Sequence, residues 1–512
     1  MERVARKKVL LIVIDAASPW AVKPALEAGR LPTLAALGER GVWNWNGVSI
    51  FPSITPAATS SIATGHYPIH TGIGGASWYE RDRDELHYYG DDFWVIAREG
   101  FGSFLRDFLE KLNGDRLRVP TLFQTVERAG LTATCINYLI FKGDVPHRAD
   151  TPQLLKLLPG APPHFTLCGP SHLLLGDWVS TPGPAGSVMT PRGGATRRFG
   201  MDDASTIELL HGLADTGDGG DFLLAYFADN DYRSHEVGPI AAVPVIERID
   251  KGLGEFFERA GGMDRFLETH AVLLTSDHSH CDILPSRREA SIELETLLAD
   301  FTPARLADGW RRGDEIMICP NMRAAQIYFR VVSAPILNAA TAAMLSDARV
   351  DQAIWQASIV EPSARGCKVA TRDRGVLHFW TGDPGAVAGA SSAVDDHGTE
   401  WSWRGDLSAV DARVDGGRLH YGDYPNALER LAGGVGFEDG GDVWVTAKPG
   451  CEFAVPGGDV HAGGGSHAAL HALDSTTPVL LAGAPDGLTL SPHFRSVDVA
   501  PLVLRLLGVN SA

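Results

Sequence analysis

Short, continuous apolar runs set the rhythm of this chain, and several of them end in an acidic residue. The first, residues 9–14, reads Val-Leu-Leu-Ile-Val-Ile and runs straight into Asp15. A β-branched run of this length suits a strand buried on both faces of a parallel sheet. Further strands are expected at residues 132–137, 222–227, 271–275, 443–446 and 479–482. Between them lie helical patterns. Residues 120–129 and 244–260 each open with a proline, which suits the first helical turn, and residues 497–507 close the chain as a helix. Strands alternating with helices imply a mostly parallel sheet covered on both sides, a three-layer α/β/α sandwich.

The rhythm breaks between residues 283 and 432. That stretch is long and mixed, and residues 323–331 and 376–380 read as antiparallel strands. We expect an inserted cap or subdomain at 283–432, with residues 1–282 and 433–512 forming the core. Glycine-rich stretches at 182–194, 217–220, 433–441 and 457–465 are expected to be surface loops. No internal repeat is visible.

Composition narrows the function. The chain has 512 residues, 63 acidic against 45 basic, and a net charge of −18. A general nucleic-acid backbone binder would be basic. A small phosphate-bearing substrate stays open, because bound cations reverse the local field. The six cysteines, Cys135, Cys168, Cys281, Cys319, Cys367 and Cys451, form no CxxC pair, and reduced thiols are expected. The basic start and the apolar residues 9–14 resemble a signal peptide only superficially, because the run is short and ends in Asp15. No run approaches the ~20 apolar residues of a spanning helix. A cytoplasmic protein without a membrane partner is expected.

Three strand ends carry the candidate chemistry. Residues 9–14 end in Asp15. Residues 222–227 run into Ala-Asp-Asn-Asp231, with His235 four positions later. Residues 271–275 run into Ser276, Asp277 and His278. In a parallel sheet the carboxyl ends share one edge, where ligands bind. Carboxylates and imidazoles gathered there need a cation. Mixed oxygen and imidazole donors suit zinc, with manganese or iron as alternatives. Each piece alone has a bland reading, as a turn former, a helix cap or a solvated turn, and the joint order of the three is what points to a metal centre.

A nucleophile is the other requirement. Residues 51–65 read Phe-Pro-Ser-Ile-Thr-Pro-Ala-Ala-Thr-Ser-Ser-Ile-Ala-Thr-Gly, a loop that can continue as a helix from Ala57. Thr55, just before Pro56, falls at the helix start as N-cap or the residue before it, where the dipole favours negative charge. By chemistry alone Ser53, Thr59 and Ser60 compete with it.

The motifs together resemble the nucleotide pyrophosphatase/phosphodiesterase family of the alkaline phosphatase superfamily. The resemblance rests on Asp15, on Leu31-Pro-Thr-Leu34 with Leu37 and Gly41, and on Phe51-Pro-Ser-x-Thr55. It continues through Thr64-Gly65-x-x-Pro68, Gly72-Ile73, Asp231-x-x-x-His235 with Gly238-Pro239, Ser276-Asp277-His278, Gly465-Ser466-His467 and the closing residues 498–508. It implies an alkaline-phosphatase-like fold with two divalent ions. One would be held by Asp231, His235 and His467, the other by Asp15, Asp277 and His278 with the Thr55 oxygen. It makes Thr55 the nucleophile of a phospho-threonine mechanism and implies hydrolysis of phosphodiesters. His397 and His461 are rivals of His467 for the last ligand.

Two departures matter. The family's phosphate-binding asparagine, about twenty residues after the nucleophile, aligns with Ala76, so a backbone amide, Ser77 or a cap residue must hold that oxygen. Asp277-His278 is followed by Ser279 and His280 instead of the usual glycine, and His280 reads as a residue behind the ligands or plain polar surface. The aromatics Trp78, Tyr79, Tyr88, Tyr89, Phe93 and Trp94 suit packing or base stacking, and residues 80–85 a solvated loop. Alternatives on the same metal core are a phosphomonoesterase, a phosphonate hydrolase or a phosphomutase. A sulfatase would need a cysteine or serine in a Cys/Ser-x-Pro-x-Arg motif, and none of the six cysteines sits in one. A metal-binding pseudoenzyme would typically have lost Thr55 or several ligands.

Overall fold

A computed structural model describes residues 6–90, 101–180, 189, 192–305, 309–454 and 459–509. Its first sheet has eight strands: β1 (Lys8–Ile14), β2 (Gly41–Val48), β3 (Ala133–Ile136), β4 (His172–Leu175), β5 (Val179–Ser180), β6 (Phe222–Phe227), β7 (His270–Thr275) and β8 (Thr476–Ala482). Their order across the sheet is β2-β8-β7-β1-β6-β3-β4-β5. The five central strands from β7 to β4 are parallel. β8 runs antiparallel to β7 and to β2, and β5 antiparallel to β4.

The period-2 alternation of a strand explains the layers. Val9, Leu11 and Val13 of β1 face one apolar core, and Leu10, Ile12 and Ile14 face another. β6 divides in the same way: Phe222, Leu224 and Tyr226 against Leu223, Ala225 and Phe227. One core is closed by α1 (Thr55–Thr64) and α5 (Val499–Leu506), the other by α2 (Asp203–Thr216) and α4 (Val243–Arg259). The chain is therefore α/β with a central, mostly parallel sheet between helical layers.

A second sheet of ten strands covers the outer side of the first core. Its pairings are antiparallel except one, where Val394 pairs with Arg418. Ile354, Val369, Phe379, Trp401 and Trp444 join the core that also holds β1 residues. The opposite face of this sheet packs on the helix Ala334–Leu345.

Two expectations change here. The strand Val443–Ala447, expected in the core sheet, lies in the ten-stranded sheet between Ala324–Phe329 and Val350–Gln356. The second sheet thus runs past the expected boundary at 432. A short buried apolar run reads alike in either kind of sheet. The glycines expected to open a loop at 433 instead end the helix Ala427–Val435. A Cβ at Gly434 would come within 2.0 Å of the Phe51 carbonyl, and one at Gly433 within 2.5 Å of Tyr67. These glycines permit close approach of the helix to the segment around the nucleophile candidate. All six cysteines are free. Among the described residues no helix is long and apolar enough to cross a membrane. Most of the 182–194 stretch, residues 455–458, Phe93 and Trp94 lie outside the described residues.

Candidate metal centre

The strand ends deliver their acids as the sequence implies. Asp15 directly follows β1. Asp231 lies in the first turn of α3 (Asp229–Val237), a helix separated from β6 by Ala228 alone, and His235 is one turn further. Asp277 and His278 follow β7 after Ser276. Thr55 is the first helical residue of α1, with Ile54 as the cap and Pro56 next, so Thr55 lies one position later than expected. The last component arrives through a short pairing: Cys281 opposite Ser466 draws His467 beside His278.

These residues form two contiguous groups. In the first, Nε2 of His278 lies 3.5 Å from Oδ1 of Asp15 and 3.4 Å from Oδ2 of Asp277. Oγ1 of Thr55 is 3.0 Å from the same nitrogen. In the second, Oδ1 of Asp231 has Nε2 of His280 at 2.8 Å, of His235 at 3.5 Å and of His467 at 3.9 Å. The His278 and His467 rings stack at 3.7 Å and join the groups. The structure therefore brings together Asp15, Thr55, Asp231, His235, Asp277, His278 and His467. His397 does not join them and lies against His493. His461 lies beside the second group, its ring 4.1 Å from that of His235, with Nδ1 donating to the buried Glu452 at 2.9 Å.

Surrounding hydrogen bonds aim the donors. Nδ1–H of His467 donates to the Ser53 carbonyl at 2.8 Å, and Nδ1–H of His235 to the Gly465 carbonyl at 2.8 Å, which turns both Nε2 lone pairs inward. The Tyr226 hydroxyl donates to Oδ2 of Asp15. Ser276 Oγ donates to the His278 carbonyl at 2.6 Å. Ala16 and Ala468, each directly after a site residue, hold φ of 54° and 92°, strained for a residue with a Cβ and typical of functional loops.

The electrostatics call for a cation. Oδ1 of Asp15 and Oδ2 of Asp277 are buried without a hydrogen-bond partner. Burial, reinforced by the charges of Asp277 and Asp231, pushes the Asp15 carboxyl well above its usual range. Burial raises Asp277 as well, against the pull of His278. Burial pushes His280 and His467 well below the usual imidazole value. Neutral imidazoles and stranded carboxylate oxygens are the donor set that divalent ions stabilise. Two overlapping sets have ligand atoms close enough to share an ion: Asp15, Asp277 and His278, and Asp231, His278, His280 and His467. A third acidic set, Glu80, Glu85 and His87, already has cations: Lys111 and Arg116 reach Glu85 at 2.5 and 3.4 Å.

The family model for type I phosphodiesterase / nucleotide pyrophosphatase matches residues 9–356. The chain belongs to that family. It is accordingly a metal-dependent hydrolase of phosphoric esters within the alkaline phosphatase superfamily. No curated protein matches the chain. Among solved structures it is similar to murine ectonucleotide pyrophosphatase / phosphodiesterase 5, with a TM-score of 0.56 and 12% identity, covering 99% of this chain and 96% of that one. It is also similar to phosphonoacetate hydrolase from Sinorhizobium meliloti 1021 in complex with phosphonoformate, with a TM-score of 0.54 and 16% identity, covering 98% and 96%. An inactive form of the murine protein in complex with AMP aligns with a TM-score of 0.56 and 11% identity, covering 99% and 96%. At these identities the likeness shows the fold.

Of the groups expected to hold an oxygen at the family's asparagine position, the backbone amides are already engaged. The amides of Ala76 and Ser77 donate to Oδ1 of Asn321 at 2.7 and 3.0 Å. Neither amide is therefore left for a phosphate oxygen. Trp78, Tyr79 and Tyr88 are buried in the packing, and Tyr89 stacks on Trp78, which favours the packing reading over base stacking. Residues 80–85 are tied down more than expected, with Arg81 on Asp442 at 2.8 Å and Lys111 on Glu85 at 2.5 Å. His280, close to Asp231, and Asn321 and Arg323, which tie down neighbouring loops, were not among the expected site residues. The only sequence signal for His280 was its departure from the family pattern.

Proposed function

We propose that this chain hydrolyses phosphodiesters through attack of Thr55 Oγ1 on phosphorus. The observation that supports it is the convergence of Thr55 Oγ1 with Asp15 and Asp277 on one nitrogen of His278. Asp15, Asp277, His278 and the Thr55 oxygen would hold one divalent ion, and Asp231, His235 and His467 another. Zinc fits these donors, with manganese or iron as alternatives. When bound, such ions neutralise phosphate oxygens and lower the pKa of a coordinated hydroxyl.

The chain's own residues do the rest. Thr55, in the first turn of α1, presents its oxygen where the helix dipole favours negative charge. Oγ1 gives up its proton to solvent and forms a bond to phosphorus as the bond to the leaving oxygen breaks, and the leaving oxygen takes a proton from solvent to depart as an alcohol. Water then cleaves the phospho-threonine ester and frees Thr55. Tyr226 keeps the Asp15 carboxylate turned so that Oδ1 faces the cluster. The Ser53 and Gly465 carbonyls keep His467 and His235 in the tautomer that faces inward.

A second reading is cleavage of phosphomonoesters or phosphonates. It is favoured by Ala76, which has no side-chain donor, with its own amide already committed to Asn321. The test is turnover of bis-p-nitrophenyl phosphate against p-nitrophenyl phosphate by zinc-loaded protein, with chelator and Thr55→Ala controls. Faster diester cleavage, lost in both controls, is expected. Faster monoester cleavage would move the assignment to the second reading.

A further inference from the structure

His280 is the residue of the cluster that the family pattern does not account for. It is fully buried. Its Nε2 is 2.8 Å from Oδ1 of Asp231, nearer than either His235 or His467. Its ring lies parallel to that of His467 at 4.9 Å and 8°, and to that of His278 at 5.8 Å and 5°. Three imidazoles thus stand in one stack beside a single carboxylate.

The surroundings are shaped for this ring. The His280 amide donates to Ser18 Oγ at 3.1 Å, which fixes the backbone. On the other side a Cβ at Gly465 would come within 2.8 Å of His280 Nδ1, so glycine at 465 makes room for the imidazole. Nδ1 has no hydrogen-bond partner. A buried ring with an unpaired nitrogen costs stability, and an apolar side chain would fill the same space without that cost. The imidazole is therefore explained by what its other nitrogen does at Asp231.

We propose that His280 is an additional protein ligand of the ion held by Asp231 and His467, giving that ion a donor set richer in nitrogen than the family pattern supplies. This rests on the two-ion reading of the site proposed above. An extra imidazole strengthens retention of the ion and shifts preference towards zinc over manganese.

The test compares wild type with His280→Met, which fills the ring's volume without an imidazole, and with His280→Gln, whose amide can still donate to Asp231. Zinc affinity is read by competition with a chromophoric chelator, and the donor set by the visible spectrum of the cobalt-loaded protein. Wild type is expected to bind two ions. His280→Met is expected to bind one of them about 10- to 100-fold more weakly, with an altered cobalt spectrum and no fall in the melting temperature of the metal-free protein. His280→Gln is expected to fall with His280→Met, and it serves as the test if the methionine variant does not fold. Two ions bound by the folded variant with affinities within about twofold of wild type would overturn the assignment while leaving the two-ion site intact. Full rescue by His280→Gln would also overturn it, by reducing His280 to a hydrogen-bond donor. A wild type that binds no divalent ion would overturn the two-ion reading itself.

Discussion

The carboxylates of the cluster, Asp15, Asp231 and Asp277, all hang from the parallel strands of the eight-stranded sheet, and none comes from the ten-stranded sheet. The ten-stranded sheet contributes one hairpin tip, where Met322 and Arg323 connect the strands Ile316–Asn321 and Ala324–Phe329. From that tip Asn321 holds the amides of Ala76 and Ser77. Arg323 makes two bonds to Asp474, at 2.9 and 2.8 Å, and both side chains are fully buried. Its amide donates to the His467 carbonyl at 3.0 Å, and the Asp474 carbonyl accepts from Ser279, between His278 and His280. One sheet supplies the carboxylates, and the other fixes loops that carry the remaining donors. The difference teaches that residues remote from a metal can set its geometry through buried polar contacts.

Substitutions on the two sides should separate in kind. The largest effect is expected from Thr55→Ala, on the chemical side. It should lower kcat by on the order of 10⁴-fold or more, about 5.5 kcal/mol, with no loss of thermal stability. Steady-state kinetics and a melting curve on one preparation check it. Next comes Arg323→Met, on the fixing side. It strands the buried Asp474 and should cost about 3–5 kcal/mol of stability. Adding Asp474→Leu should recover much of that stability, because an apolar pair replaces the ion pair, and denaturant titration of both variants reads it. Recovered folding with weakened metal retention would locate the role of Arg323 in holding the ligand loops.

Asn321→Ala should cost less, about 1–3 kcal/mol, because two buried amides lose their acceptor. Its kcat should change by less than roughly tenfold, since Asn321 touches no member of the cluster. The smallest effect concerns a buried carboxylate of the eight-stranded half that the hairpin tip does not reach. Burial pushes the Asp203 carboxyl up to about 7 from an ordinary 3.8. The folded value lies above the unfolded one, so the stability this group lends is complete below pH ~4 and is lost as pH rises through about 7. Asp203→Asn should therefore stabilise the protein by about 1 kcal/mol more at pH 7 than at pH 6. Melting temperatures at the two pH values check this.

Much of the eight-stranded half was legible because its signals are local. Residues 222–227 form β6 with the expected bounds, 120–129 contains the helix Leu122–Arg128, and 244–260 is offset by one residue from the helix Val243–Arg259. Apolar runs ending in Asp15, Asp231 and Asp277 implied a shared edge because parallel strands point one way. What was not legible depends on distant partners. Val443–Ala447 is as apolar as a core strand, and only its neighbours assign it to the second sheet. Arg323 was only the first residue of the strand expected at 323–331, yet its side chain is buried against an aspartate 151 positions away. His280 gave no periodic signal, and its meaning lies in the 2.8 Å approach to Asp231 across 49 positions.

The most direct test of the central claim is to quench zinc-loaded protein during turnover of bis-p-nitrophenyl phosphate and map the adduct by peptide mass spectrometry. The account predicts a phosphoryl adduct on Thr55, absent from Thr55→Ala and from chelator-treated protein. An adduct on Ser53, Thr59 or Ser60, or steady turnover by Thr55→Ala, would contradict it.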